Sequence, residues 1–131
     1  MTKVVLSKSY GAGFAMTNET VYNWLKERCG EDLITITPSP TFGGSWYSFS
    51  RPNLRWHPLI IQCIEELGEE QTGYIVKEYD DALYDIEIGD YDGMEWIDLI
   101  PILDVELMTT MTAAELADYL DERGVKHNYG R

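Results

Sequence analysis

The chain has 131 residues, 44% of them hydrophobic, with 23 Asp/Glu against 10 Lys/Arg and a net charge of −13. That length suits one domain able to bury its own core, and no run approaches the ~20 apolar residues of a membrane span. Residues 65–122 hold nineteen Asp/Glu and one basic residue, Lys77, a charge that repels nucleic acid and excludes a general DNA or RNA partner.

From the N-terminus, MTKVVLSKSYGAGF has no apolar stretch of secretory length, which predicts a cytoplasmic protein. Lys3 to Ser7 is a β-branched run that reads as a buried strand. In the loop that follows, Gly11 and Gly13 suggest a dinucleotide fingerprint, but its third glycine position is Met16, so a structural glycine turn is the expectation. Thr17 and Asn18 are caps for a helix with Val21, Trp24, Leu25 and Cys29 on one stripe, stopped by Gly30. Leu33 to Thr37 reads as a strand. The stretch PSPTFGGSWYSFSRPN breaks regularity and reads as a long loop, whose Phe42, Trp46, Tyr47 and Phe49 either line a pocket or anchor it, with Trp46 and Phe49 packed on the core.

Pro58 then fixes φ at the first position of a helix. Its stripe is Ile60, Cys63, Ile64 and Leu67, and Gly68 is the expected left-handed cap. Cys29 and Cys63 both lie on apolar faces and read as reduced thiols. Tyr74–Tyr79 and Leu83–Ile88 are predicted to pair across Asp80–Asp81–Ala82. Within the second run, Tyr84, Ile86 and Ile88 alternate with Asp85 and Glu87, the period of a half-buried strand. Met94–Ile97 returns to the sheet, and Pro101 marks an edge. Thr112 and Glu115 form a capping box opening a last helix, with Leu116, Ala117 and Leu120 inward and Gly124 closing it. The order predicts a single α+β domain over residues 1–131, a small mostly antiparallel sheet with an acidic β-hairpin and about three helices.

Three pieces together resemble a group of small bacteriophage-type proteins: the KVVLSKSYGAGF opening, the helix RWHPLIIQCIEELG, and the closing YDIEIGDYDGMEWI. The likeness spans residues 3–97, leaving 98–131 as a C-terminal extension with a capped helix. His57 stands where that group more usually has an acidic residue. The resemblance implies phage origin and a shared fold, without an assigned activity.

No catalytic set emerges from the residues, and the reading leans away from an enzyme. Asp90-Tyr91-Asp92-Gly93 looks like part of a calcium loop, but with Gly93 at its sixth position the first and twelfth fall on Ile88 and Leu99, which carry no carboxylate. A looser cation site from Asp80, Asp81, Asp90 and Asp92 is outweighed by plain turn chemistry. His57, Cys63 and His127 lack closed zinc spacing, so neither metal nor cofactor is expected. Glu65 and Glu66, at the wrong end of their helix for its dipole, call for a function or a basic neighbour.

Two readings of function follow. In the first, the protein is a non-enzymatic phage accessory protein in the host cytoplasm. It inhibits a host protein that has a basic surface, through an acidic face of Asp80, Asp81, Asp85, Glu87, Asp90, Asp92 and Glu95. In the second it holds a small anionic or nucleotide-like ligand, with Arg51 and Arg55 forking to it beside Trp46, Tyr47 and Phe49. The sequence is compatible with a homo-oligomer in either case.

Overall fold

The computed structural model describes residues 1–11, 13–28, 30–39 and 43–129. The fold is α+β. Its strands are β1 (Thr2–Ser7), β2 (Met16–Thr17), β3 (Ile34–Pro38), β4 (Ser45–Phe49), β5 (Tyr74–Tyr79), β6 (Tyr84–Tyr91) and β7 (Met94–Pro101). Among the described residues, three longer helices, α1 (Glu19–Lys26), α2 (Pro58–Leu67) and α5 (Ala113–Glu122), match the three expected, and two four-residue helices, α3 (Glu69–Thr72) and α4 (Val105–Met108), add to them. The described residues group into two compact units. One comprises residues 2–78 and 88–96; the other comprises Met1, 79–87 and 97–131.

In the first unit the sheet is divided. β1 pairs with β5, and β2, β4 and β3 form a separate antiparallel sheet in that order. The predicted loop 38–53 therefore contains a strand, with Ile34 facing Phe49 and Pro38 facing Ser45. Helix α1 starts where Asn18 accepts the Val21 amide at 3.0 Å, and Val21, Trp24 and Leu25 are buried. Helix α2 starts where His57 Nδ1 accepts the Leu59 amide at 3.1 Å; an imidazole here does the capping that a side-chain oxygen usually does. Ile60, Cys63 and Ile64 enter the core and Leu67 packs against it. Gly68 has positive φ but ψ 169°. It is thus not the expected left-handed cap; it swings the chain straight into α3, and the left-handed residue is Gly73 (φ 74°, ψ 12°).

The core joins Val5, Trp24, Leu25, Ile60, Ile64 and Phe49, with Phe14 stacked on Phe49 at 4.6 Å. Glu65 and Glu66 have the basic neighbours their position called for. Lys3 Nζ reaches Glu65 at 3.0 Å; Glu66 accepts from Trp24 Nε1 at 2.8 Å and lies 3.7 Å from Arg28. Hydrogen bonds from Gln62 and then Trp24 hold the Glu66 carboxyl below its usual range.

The predicted hairpin between 74–79 and 83–88 does not form. The chain does turn there, the amides of Leu83 and Tyr84 both bonding Asp80 O, but β5 has β1 as its partner and β6 pairs with β7. The turn between β6 and β7 is the two residues Asp92 (φ 51°) and Gly93 (φ 90°), the positive-φ pair that matches strand twist in a tight hairpin. In the second unit Thr112 and Glu115 form the capping box of α5, which buries Ala117 and Leu120. Cys29, Phe42 and Arg131 lie outside the described residues.

Candidate functional site

A cavity of about 330 Å³ opens in the first unit between the Gly13–Ala15 turn, the end of β4, Arg51–Pro52, Arg55 and the hairpin residues Asp90 and Glu95. Its floor is an ion pair. Arg55 donates from Nη1 to Glu95 Oε1 at 2.8 Å and from Nη2 to Oε2 at 2.5 Å, the two-pronged geometry that suits guanidinium to carboxylate. Each partner makes one further bond: Ser7 N donates to Glu95 Oε1 at 2.7 Å, and Arg55 Nη1 also donates to Val5 O at 3.1 Å. The guanidinium carbon lies 4.5 Å from the centre of the Phe14 ring. Lys8 Nζ holds the Glu95 carbonyl at 3.0 Å. Glu95 is 4% exposed.

This arrangement corrects two assignments. Arg55 does not offer its charge to a ligand, because Glu95 already takes it. Glu95 does not belong to an acidic face, because strand alternation turns it inward with Ile97 while Trp96 and Asp98 point out. The cavity's charges balance, Arg51 and Arg55 against Asp90 and Glu95. Arg51 is exposed and, among the described residues, has no ion-pair partner. Of the aromatic candidates Phe49 lines the cavity; Tyr47 packs on Tyr22 at 5.3 Å, and Trp46, expected on the core, is 52% exposed.

The other acidic candidates are at the surface or half-buried. Asp85 and Glu87 point outward from β6. Asp80 accepts the Ala82 amide at 3.0 Å, Asp81 lies 3.8 Å from the N-terminal ammonium, and Asp90 accepts the Gly93 amide at 2.8 Å. Asp92 sits in the turn itself. Sequence reasoning missed the roles of Ser7, Lys8 and Tyr74. The Tyr74 hydroxyl donates to Met16 O, with the carbonyls of Gly13 and Phe14 3.2 and 3.3 Å away, and so pins the turn that roofs the cavity.

The hairpin tip docks through Gly93, where Gly11 N donates to Asp92 O at 2.5 Å. A Cβ on Gly93 would lie 2.8 Å from both Ser9 O and Gly11 N. Gly93→Ala is therefore expected to cost about 2–3 kcal/mol, from backbone crowding together with positive φ. Urea titration checks this; a midpoint equal to the parent's would mean the tip is not docked.

Chemically the site holds no strong nucleophile. Cys63 is buried in the core, and burial pushes its thiol up to about 12, far from the thiolate that reacts. Among the described residues no three His, Cys, Asp or Glu side chains are grouped to hold a metal ion, and no helix is long and apolar enough to cross a membrane. Comparison with known protein families, curated proteins and solved structures gives no match.

Proposed function

We propose that the protein is a non-enzymatic accessory protein of phage type that binds a host protein by a basic surface and blocks it, acting in the host cytoplasm. The observation that carries this reading is the exposed acid. Within a segment of nineteen Asp/Glu and one Lys, Asp85 and Glu87 stand outward on β6, free of the turn hydrogen bonds that account for Asp80 and Asp90. Charge of one sign on an open face steers and orients a partner of the other sign.

The test is capture from a bacterial lysate on immobilised protein, at about 50 mM and about 1 M NaCl. A partner held at low salt should elute at high salt, since exposed charges are screened within ~3 Å at 1 M. Asp85→Lys with Glu87→Lys should lower the amount captured roughly tenfold, the equivalent of about 1.4 kcal/mol. A partner retained equally in both salts, and by both proteins, would sink the reading.

The cavity supports a second reading, a small ligand bound beside Phe49 with Arg51 as its charged contact. With Arg55 engaged, the ligand would meet one available guanidinium. Melting with a panel of nucleotides at millimolar concentration separates the two readings, because a ligand at 100 times its Kd adds about 2.7 kcal/mol. A shift that disappears in Arg51→Ala would favour the ligand; no shift removes it.

A further inference from the structure

The second unit buries Ala117 and Leu120 yet leaves Ile102, Leu103, Val105 and Leu107 at 41, 38, 68 and 47% exposure. These four are held in place. Pro101 ends β7, and Ile102 N then donates to Leu83 O at 2.9 Å. Asp104 N donates to Tyr119 Oη at 2.9 Å, and the Asp104 carboxylate caps α4 by accepting Leu107 N at 3.0 Å. The segment and α5 enclose a groove of about 660 Å³ whose other wall includes Tyr119 and Arg123. Apolar side chains fixed by polar anchors and left uncovered mark an interaction surface.

We infer that this groove docks an amphipathic segment of a partner protein, apolar along one side and flanked by Lys or Arg. The inference rests on the reading that the protein acts by binding another protein, and it names where and what. Charge selects the occupant. Asp104 and Glu106 line the groove, and the unit carries four Asp/Glu in 79–87 and seven in 97–131 against three Lys/Arg. One of those three, Arg123, lies over the Tyr119 ring at 3.7 Å and 3.8 Å from Glu122, so its charge is engaged. An anionic membrane would be repelled. A second copy would set Asp104 and Glu106 against the same pair across a two-fold axis. A helix with apolar residues at i, i+3, i+4 and i+7 and basic flanks satisfies both the groove and its rim.

The probe is a labelled helical peptide of about sixteen residues with Leu at that spacing and Lys at its flanks, beside a twin with Gln for Lys. It is titrated into the full chain by anisotropy and mapped by amide NMR. Saturable binding is expected, with shifts concentrated at 102–107, 119 and 123. Val105→Ser and Leu107→Ser should each weaken it at least tenfold; both sites are exposed, so the variants should keep the parent's melting curve. The Gln twin should bind more weakly.

Shifts confined to 80–92, unaffected by Leu107→Ser, would overturn the groove and leave the acidic-surface reading standing. The same separation follows if the peptide fails to bind while Asp85→Lys with Glu87→Lys still lowers capture. Equal binding of both peptides would overturn the basic chemistry assigned to the occupant. A dimer in sedimentation that Leu107→Ser dissociates would make the groove a self-interface and overturn the partner. Failure of capture and of peptide binding together would remove both readings.

Discussion

Arg55→Ala and Glu95→Ala are each expected to lower stability by about 3–5 kcal/mol, because each leaves the opposite charge buried without a partner. That is a large share of the 5–15 kcal/mol that typically separates folded from unfolded protein. The side chains are 14% and 5% exposed, so water reaches a charge left alone there only through the cavity beside it. The pair also joins parts distant in sequence: through Ser7 N and Val5 O it ties β1 to the hairpin, and through Arg55 to the turn that leads into α2. Glu95→Gln keeps an acceptor for Ser7 N but strands the guanidinium, so it should fall nearly as far as the alanine variant. Replacing both, Arg55→Met with Glu95→Leu, should recover most of the loss, since a buried ion pair is often no better than apolar side chains of similar volume. Urea titrations of Arg55→Met, Glu95→Leu, the double variant and the parent form a cycle. A coupling below about 0.5 kcal/mol, the spread seen for independent sites, would show that the two residues do not act as a pair.

Helices were the most legible part of this sequence, because their starts and stops are written in neighbouring residues. Asn18, Pro58 after His57, and the Thr112–Glu115 box each act within one turn of the helix they open. Strand pairing was less legible because it is a choice among distant partners. Asp80–Asp81–Ala82 is polar enough to close a hairpin, and the chain does bend there. Two stronger demands won: Val4, Val5 and Leu6 are buried to within 1%, which requires a hydrogen-bonded neighbour for β1, and Asp-Gly is the better hairpin turn. β4 was hidden by the prolines and glycines around it, although Trp46, Tyr47 and Phe49 have strand character.

The same distinction runs through the site. In the sequence Arg55 stands out by its charge and its aromatic neighbours, and Glu95 by its charge alone. Nothing local links residues forty apart. A signal was nevertheless present in the register. If Asp92–Gly93 is the two-residue turn, Glu95 lies opposite Asp90 and shares a strand face with Ile97, whereas Asp85 and Glu87 fall on the other. An inward carboxylate must find a cation, and in that half of the chain few are near enough in kind. Arg51, Trp46 and the exposed acids had no such constraint. Their positions depend on packing that composition does not encode.

Alkaline pH should unfold this protein earlier than its acidity suggests, and two buried groups set the threshold. Burial raises the Cys63 thiol from 9.0 to about 12, outweighing the Arg28 charge that opposes it. Burial also raises the Tyr74 phenol above its ordinary 10.0, with the Glu95 charge adding to the shift and Arg55 opposing it. Between the ordinary and the raised values the unfolded chain has lost the proton and the folded chain keeps it. Unfolding therefore releases protons, and rising pH favours it. The stabilising contribution is complete below pH 9 and falls by about 1.4 kcal/mol per pH unit for the thiol, with the phenol doubling the slope above pH 10. By pH 11 the combined loss is on the order of 4 kcal/mol, comparable to cutting the Arg55–Glu95 pair. Urea midpoints at half-unit steps from pH 8 to pH 11, in a Cys29→Ser background so that Cys63 is the sole thiol, give the curve. Cys63→Ala should flatten the stretch from pH 9 to pH 10 and halve the slope above it. A midpoint constant to pH 10.5, or a slope that Cys63→Ala does not change, would mean that the thiol reaches water in the folded protein and that α2 does not seal the core.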